Sequence, residues 1–321
     1  MLRIPLSLMS PAGSRARLSV LIYHRVLPVA DPLLPELPTA AEFERTMRWV
    51  KEWFNVLPLG DAVTRLFEGT LPARALAITF DDGYADNEEI AAPILQRLGL
   101  GATFFVSTGF LGDGCMWNDR VIEALRASTR DHLDLAAIGL GRVPLVITDD
   151  RRRAIHAVLR AVKHLAPQPR LAAVADIERL AGVGAPPRPM MQPDQVRRLR
   201  ALGMDIGGHT VTHPILSRLE PEAARQEMSL GKQTLEQIIQ APVDLFAYPN
   251  GVPVQDYGAE HAALVRECGF KAAVSTAWGA ASRTSDRFQL PRFTPWDRSR
   301  LRYGLRLLDN LRRHEQVAAV A

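Results

Sequence analysis

The chain has 321 residues, 47% of them apolar and 23% charged, with a formal net charge of +4, the profile of an ordinary globular protein with room for a large core. It has no Lys/Arg cluster interleaved with aromatics to mark a nucleic-acid surface, and no run approaches the roughly 18 to 20 apolar residues that cross a bilayer. Its two cysteines, Cys115 and Cys268, lie far apart, so neither a disulfide framework nor a cysteine metal site is indicated.

Residues 1–17 carry a positive charge and some apolar residues, but Pro5 interrupts any signal-peptide core. This segment reads as a poorly ordered leader, and the protein as soluble and cytoplasmic. Strand-like runs then recur at Leu18 to Tyr23, Leu76 to Phe80, Ala102 to Val106, Met204 to Gly207, Leu245 to Tyr248 and Ala272 to Ser275. Helical patterns separate them at Ala41 to Trp53, Gly60 to Phe67, Ala85 to Leu98, Pro193 to Leu202, Pro221 to Ile239 and Gln255 to Cys268. The alternation predicts an α/β fold, a parallel sheet or barrel spanning 18–296.

The rhythm breaks over 112–191, an Arg/Ala/Leu-rich stretch with helices expected at Asp149 to Leu165 and Arg170 to Leu180. It reads as an inserted helical cap. Trp117 at its entry either anchors the insert or contacts substrate as part of a lid. Residues 297–321 form a basic amphipathic helix and tail with Leu301, Leu305, Leu308 and Leu311. Docking against the barrel is the simpler reading, and peripheral attachment to an anionic membrane the alternative.

Two strand ends carry the chemistry. The run Leu76-Ala77-Ile78-Thr79-Phe80 leads into Asp81-Asp82-Gly83-Tyr84, and ligands of parallel α/β folds gather at strand carboxyl ends. Adjacent acids repel and raise one another's pKa unless a cation relieves them. A solvated Asp-Asp-Gly turn is the competing reading. The second strand, ending in Gly207-Gly208, leads into His209-Thr210-Val211-Thr212-His213, a spacing that places both imidazoles on one face of a helical turn. Two histidines and a carboxylate leave coordination positions open for water and substrate, as catalytic zinc requires, although an iron(II) oxygenase triad uses the same donors.

Thr79-Phe80-Asp81-Asp82-Gly83 together with His209-Thr210-Val211-Thr212-His213 resembles the polysaccharide deacetylases of the NodB-homology group, carbohydrate esterase family 4. The resemblance covers roughly residues 18–295 and implies a distorted (β/α) barrel that removes N-acetyl groups from an amino sugar of a carbohydrate polymer or its precursor. It further implies Asp82, His209 and His213 as ligands of one divalent metal, zinc first, with cobalt, nickel or manganese as substitutes. Asp81 would be the base acting on metal-bound water, and the backbone N–H of Tyr84 an oxyanion donor. In the common family pattern a histidine after a leucine near the carboxyl end supplies the acid. The corresponding Leu290-Pro291-Arg292-Phe293 has none. His24, at the end of the first strand, resembles the acid of the circularly permuted branch that includes exopolysaccharide poly-N-acetylglucosamine deacetylases. A rim histidine bonded to a neighbouring loop is the alternative.

A further departure is Phe246-Ala247-Tyr248-Pro249-Asn250-Gly251, similar to the family's Arg-x-Pro-Tyr-Gly segment but with Ala247 where arginine is usual. Arg292 could replace that arginine by pairing with Asp81, or be a surface arginine. Tyr248 and Pro249 are expected to bind substrate, Tyr248 by stacking on a sugar face unless it belongs to the core. These departures leave a second expectation, a carbohydrate-binding protein that kept the pocket and lost turnover.

Overall fold

The structure, a computed structural model, describes residues 2–185, 187–294 and 296–313. Its strands are β1 (Leu18–Tyr23), β2 (Asn55–Val56), β3 (Ala75–Phe80), β4 (Thr103–Val106), β5 (His132–Asp134), β6 (Arg142–Pro144), β7 (Asp205–Gly208), β8 (Leu245–Ala247) and β9 (Ala272–Val274). The helices are α1 (Arg3–Met9), α2 (Ala40–Trp53), α3 (Leu59–Glu68), α4 (Ala92–Arg97), α5 (Trp117–Ala127), α6 (Thr148–Lys163), α7 (Pro167–Ala181), α8 (Pro193–Ala201), α9 (Pro221–Ile239), α10 (Ala259–Glu267) and α11 (Arg300–Arg312).

Six strands pair in parallel in the order β1-β3-β4-β7-β8-β9, with β2 added on β3. Every residue of β1 and β3 is buried, which is why these strands read as continuous apolar runs rather than alternating ones. Residues 290–293 join the two ends of the sheet. Leu290 bridges in parallel to Val274 of β9, and Phe293 to Leu21 of β1. The result is the expected distorted (β/α) barrel, with α2 typical of its helical wall. Thr39 and Glu42 form a reciprocal cap at its start, and Phe43, Met47, Val50 and Trp53 face the core.

Two helices depart from their sequence pattern. The segment expected as a regular helix from Ala85 has a wide π turn at Asn87–Ala91 before α4, a distortion often found beside functional sites. The helix expected from Gln255 begins only at Ala259, because Tyr257 is drawn fully into the core and Gly258 takes an extended conformation at the cap.

Residues 112–190, with 29–37, form a separate compact unit. It builds its own core from α5, α6 and α7, including Val121, Leu125, Val158 and Ile177, and Leu33 of the 29–37 segment belongs to that core. The helical reading of this stretch missed the antiparallel β5–β6 hairpin. Pro167 begins α7, where its missing N–H costs nothing. Trp117 packs on this core with the Arg170 guanidinium 5.0 Å from its ring.

The amino-terminal segment differs from the loose leader expected of it. Residues 3–9 are helical, α1 packs on α11, and Leu6 is fully buried in the main core. In α11, Tyr303, Leu307 and Leu311 face the core, whereas residues 314–321 of the expected tail lie outside the described residues. Leu6→Ala is expected to destabilise the protein by about 2–5 kcal/mol in urea denaturation. An unchanged midpoint would return this segment to the status of a leader.

Candidate active site

At the carboxyl end of β3 the chain turns sharply, and the turn separates the two acids. Asp81 continues the ladder by donating its N–H to Tyr23 O at 2.9 Å. Asp82 then adopts φ +76° and Gly83 φ +93°. A Cβ on Gly83 would stand 2.9 Å from Val106 Cγ1, so this corner needs glycine for space as well as for conformation. Ser107 N–H and Met191 N–H donate to Asp82 O and Gly83 O, which fixes the corner.

The side chain of Asp81 meets Arg292. Two parallel N–H···O bonds of 2.6 and 2.7 Å join the guanidinium to the carboxylate, while Arg292 Nε donates to Ser275 O at 2.9 Å and Nη1 to Thr79 Oγ1 at 3.2 Å. Arg292 is 1% exposed, which rules out the surface-arginine reading. Burial alone would raise the Asp81 pKa. The Arg292 guanidinium, bonded to both carboxylate oxygens, outweighs burial and holds the carboxyl below its ordinary range.

Asp82 points the other way. Its Oδ1 lies 3.5 Å from His209 Nε2 and 3.4 Å from His213 Nε2, is buried, and has no hydrogen-bond partner among the described residues. His209 Nδ1 lies 2.7 Å from Ala247 O, so the N–H sits on Nδ1 and the Nε2 lone pair faces the carboxylate. Asp82, His209 and His213 can each offer one ligand atom within 4.8 Å of the others. Three electron-rich atoms converging in a buried space fit a cation. Burial pulls His213 down to about 4, against the pull of Asp82, leaving it neutral near pH 7.

The loop between the two histidines is not the helical turn that their spacing predicts. Thr210 and His213 are left-handed, at φ +66° and +53°. Glu227 of α9 supports this shape, its carboxylate accepting from Val211 N–H, Thr212 N–H and Thr212 Oγ1 at 2.8, 2.8 and 2.7 Å. One turn further along α9, a Cβ on Gly231 would come within 3.0 Å of the Thr210 backbone. Sequence reasoning passed over both residues, which look like an exposed acid and a weak point in an amphipathic helix.

His24 follows β1 on the same rim and is exposed. It lies near enough to Asp81, Asp82 and His213 for a charge on it to act on each of them. Its loop is pinned from the β3 corner, where Asp86 accepts from Arg25 Nε at 2.8 Å and Val26 N–H at 3.2 Å, and Asn87 Nδ2 donates to His24 O at 2.8 Å. These supports were also not foreseen.

Tyr248 is the clear correction among the expected residues. Its ring is 1% exposed and stacks on Tyr257 at 3.8 Å, and its hydroxyl donates to Phe288 O. It offers no face to a sugar. Pro249 is buried beside it and opens the Asn250–Gly251 turn, and the Tyr84 side chain is buried beneath Arg25.

The sequence model described as polysaccharide deacetylase matches residues 68–273. YxkH of Bacillus subtilis (strain 168), whose name places it among polysaccharide deacetylases, is 22% identical over 279 residues, 86% of this chain and 71% of that protein. Among solved structures, Streptococcus pyogenes deacetylase PplD in complex with acetate aligns with a TM-score of 0.61 and 20% identity over 92% of this chain and 98% of that one. IcaB from Ammonifex degensii aligns with a TM-score of 0.57 and 16% identity, again over 92% and 98%.

The buried ion pair yields a test that needs no substrate. Arg292→Met strands a buried carboxylate and is expected to cost about 3–5 kcal/mol, much of it recovered in the Asp81→Asn/Arg292→Met double variant. Because Arg292 depresses the Asp81 pKa, its stabilisation is present above the unfolded value near 3.9 and lost as pH falls through the lower folded value. In Arg292→Met burial raises that pKa instead, so the stability gap to wild type should narrow on acidification. Urea titrations at several pH values measure both effects, and a pH-independent gap would exclude the pairing as their cause.

Proposed function

Because the chain belongs to the polysaccharide deacetylase family, we propose that this carbohydrate deacetylase works as a metal-dependent N-deacetylase, hydrolysing the acetamide of an amino sugar to acetate and a free amine. The observation that carries this reading is the partnerless Asp82 Oδ1 aimed at two imidazole Nε2 atoms. Asp82, His209 and His213 would hold one divalent cation. The donor set suits zinc first, with cobalt, nickel or manganese as substitutes. Such an ion polarises the acetyl carbonyl and acidifies a water.

The remaining steps fall to the chain's own groups. Asp81, kept ionised and oriented by Arg292, accepts the proton of the attacking water. The backbone N–H of Tyr84, at the glycine corner, donates to the oxygen that gains charge. His24 protonates the departing nitrogen, the role given to an amino-terminal histidine in the circularly permuted branch. Arg292 takes the place of the arginine missing at Ala247, from the closing segment 290–293 instead of β8 and in the bidentate geometry that arginine–carboxylate pairs favour. The substrate is an amino-sugar polysaccharide or its precursor, with an exopolysaccharide as the polymer class.

Free-amine and acetate assays on N-acetylated oligosaccharides, with bound metal measured in each preparation, test the assignment. Asp81→Asn and His24→Ala are expected to lower turnover by about 10²–10⁴-fold with bound metal unchanged. Asp82→Ala should lose metal and turnover together. Glu227→Gln should weaken metal affinity by roughly 10–100-fold while the protein stays folded. Wild-type turnover in Asp81→Asn would remove the base from this scheme.

A further inference from the structure

A stripe of apolar side chains stays in water on the outer surface of the barrel unit. In α11, Tyr303, Leu307 and Leu311 are buried against the core, yet Leu301 is 66% and Leu305 52% exposed. Leu301 and Leu305, one turn apart, lie off the line by which the helix has docked, while Leu308, next in their row, is half-buried against the core. Helix α1, packed against α11, adds Ile4 and Leu8, 73% and 79% exposed. Trp296, just before α11, is half exposed with the Arg306 guanidinium 4.4 Å from its ring.

The charges around this line are mostly of one sign. Arg306 pairs with Asp297, Arg313 with Asp309 at 2.9 Å and Arg300 with Glu52 at 2.5 Å. Exposed Arg3, Arg302 and Arg312 have no carboxylate partner among the described residues, so the surface keeps an excess of positive charge. Large exposed aliphatics bordered by arginines and a tryptophan form the pattern of a helix lying in a lipid interface, where the apolar line enters the acyl boundary and the guanidiniums meet phosphates. A second copy of the chain would set arginine against arginine. No helix among the described residues is long and apolar enough to cross a membrane, so the contact would be peripheral.

We propose that α1, α11 and Trp296 together form a face that docks this protein on an anionic lipid surface. It is independent of the deacetylation chemistry and uses none of the groups assigned to it. Docking confines the enzyme to a plane and so favours substrates held at a membrane over those free in solution.

The test is co-sedimentation of the full chain with vesicles of phosphatidylcholine plus phosphatidylglycerol, against phosphatidylcholine alone. Binding should be roughly tenfold or more tighter to the anionic vesicles, weaken with salt, and shift the Trp296 emission to the blue, as read from the difference with Trp296→Phe. Leu301→Ser/Leu305→Ser should lose about tenfold in vesicle affinity and keep wild-type turnover of soluble N-acetylated oligosaccharide. Arg302→Glu/Arg312→Glu, at exposed positions with no partner to break, gives an independent variant with the same expected loss. Equal binding to both lipids, unchanged binding by both variants, or a dimer in sedimentation velocity that Leu301→Ser/Leu305→Ser abolishes would overturn the proposal, the last by making this face a protein interface. Turnover on the soluble substrate reports separately on the deacetylase scheme.

Discussion

The bidentate pair between Asp81 and Arg292 is the contact on which the rest of the site depends. It joins the end of β3 to the segment closing the barrel between β9 and β1, two places 211 residues apart in sequence. An isolated carboxylate at that depth would protonate, and an isolated guanidinium would carry a large desolvation cost. Together they satisfy one another, and Ser275 O and Thr79 Oγ1 complete the guanidinium's bonding. With Asp81 turned toward Arg292, the left-handed corner at Asp82 directs the next carboxylate to the opposite side, where the histidines converge. One acid is thereby assigned to an organic cation and its neighbour to a candidate metal.

Such a division carries backbone strain. Asp82, Thr210 and His213 all have positive φ without being glycine, a conformation that costs on the order of 1–3 kcal/mol per residue and persists only where surroundings hold it. Ser107 holds the first, its hydroxyl also donating to His209 O at 2.8 Å, and Glu227 with Gly231 holds the other two. The supports come from the residue that follows β4 and from α9, so the geometry of the candidate ligands is built into the packing of the barrel rather than into the loop itself.

The paired acids and the histidine pair were legible in the sequence because each follows a strand-like segment, the apolar run 76–80 for the acids and the short 204–208 stretch ending in two glycines for the histidines, and strand ends are where ligands gather. The pairing of Arg292 with Asp81 was one of two readings open in the sequence, beside a surface arginine, once Ala247 was seen to lack a guanidinium. The shape of the histidine loop was not legible, since a four-residue spacing fits a helical turn equally well and the carboxylate that decides otherwise lies on another helix. Tyr248 was misread for a related reason: a tyrosine near a strand end can face the groove or the core, and only the ring of Tyr257 beneath it decides. The helix at residues 3–9 escaped notice because seven residues around a proline carry little propensity of their own. Its stability comes from α11, nearly three hundred residues downstream.

Closure of the barrel through residues 290–293 has a consequence for how the protein comes into being. The proposed base and candidate metal ligands leave the ribosome well before Arg292 does, and until that segment docks between β9 and β1 the Asp81 carboxylate has no counterion. Burial without one favours its neutral form, which can take no proton from water. If the sheet were to form before that segment docks, the proposed base would sit buried in its neutral form, so the seam between β9 and β1 is a precondition of the proposed chemistry and not only of the barrel's closure.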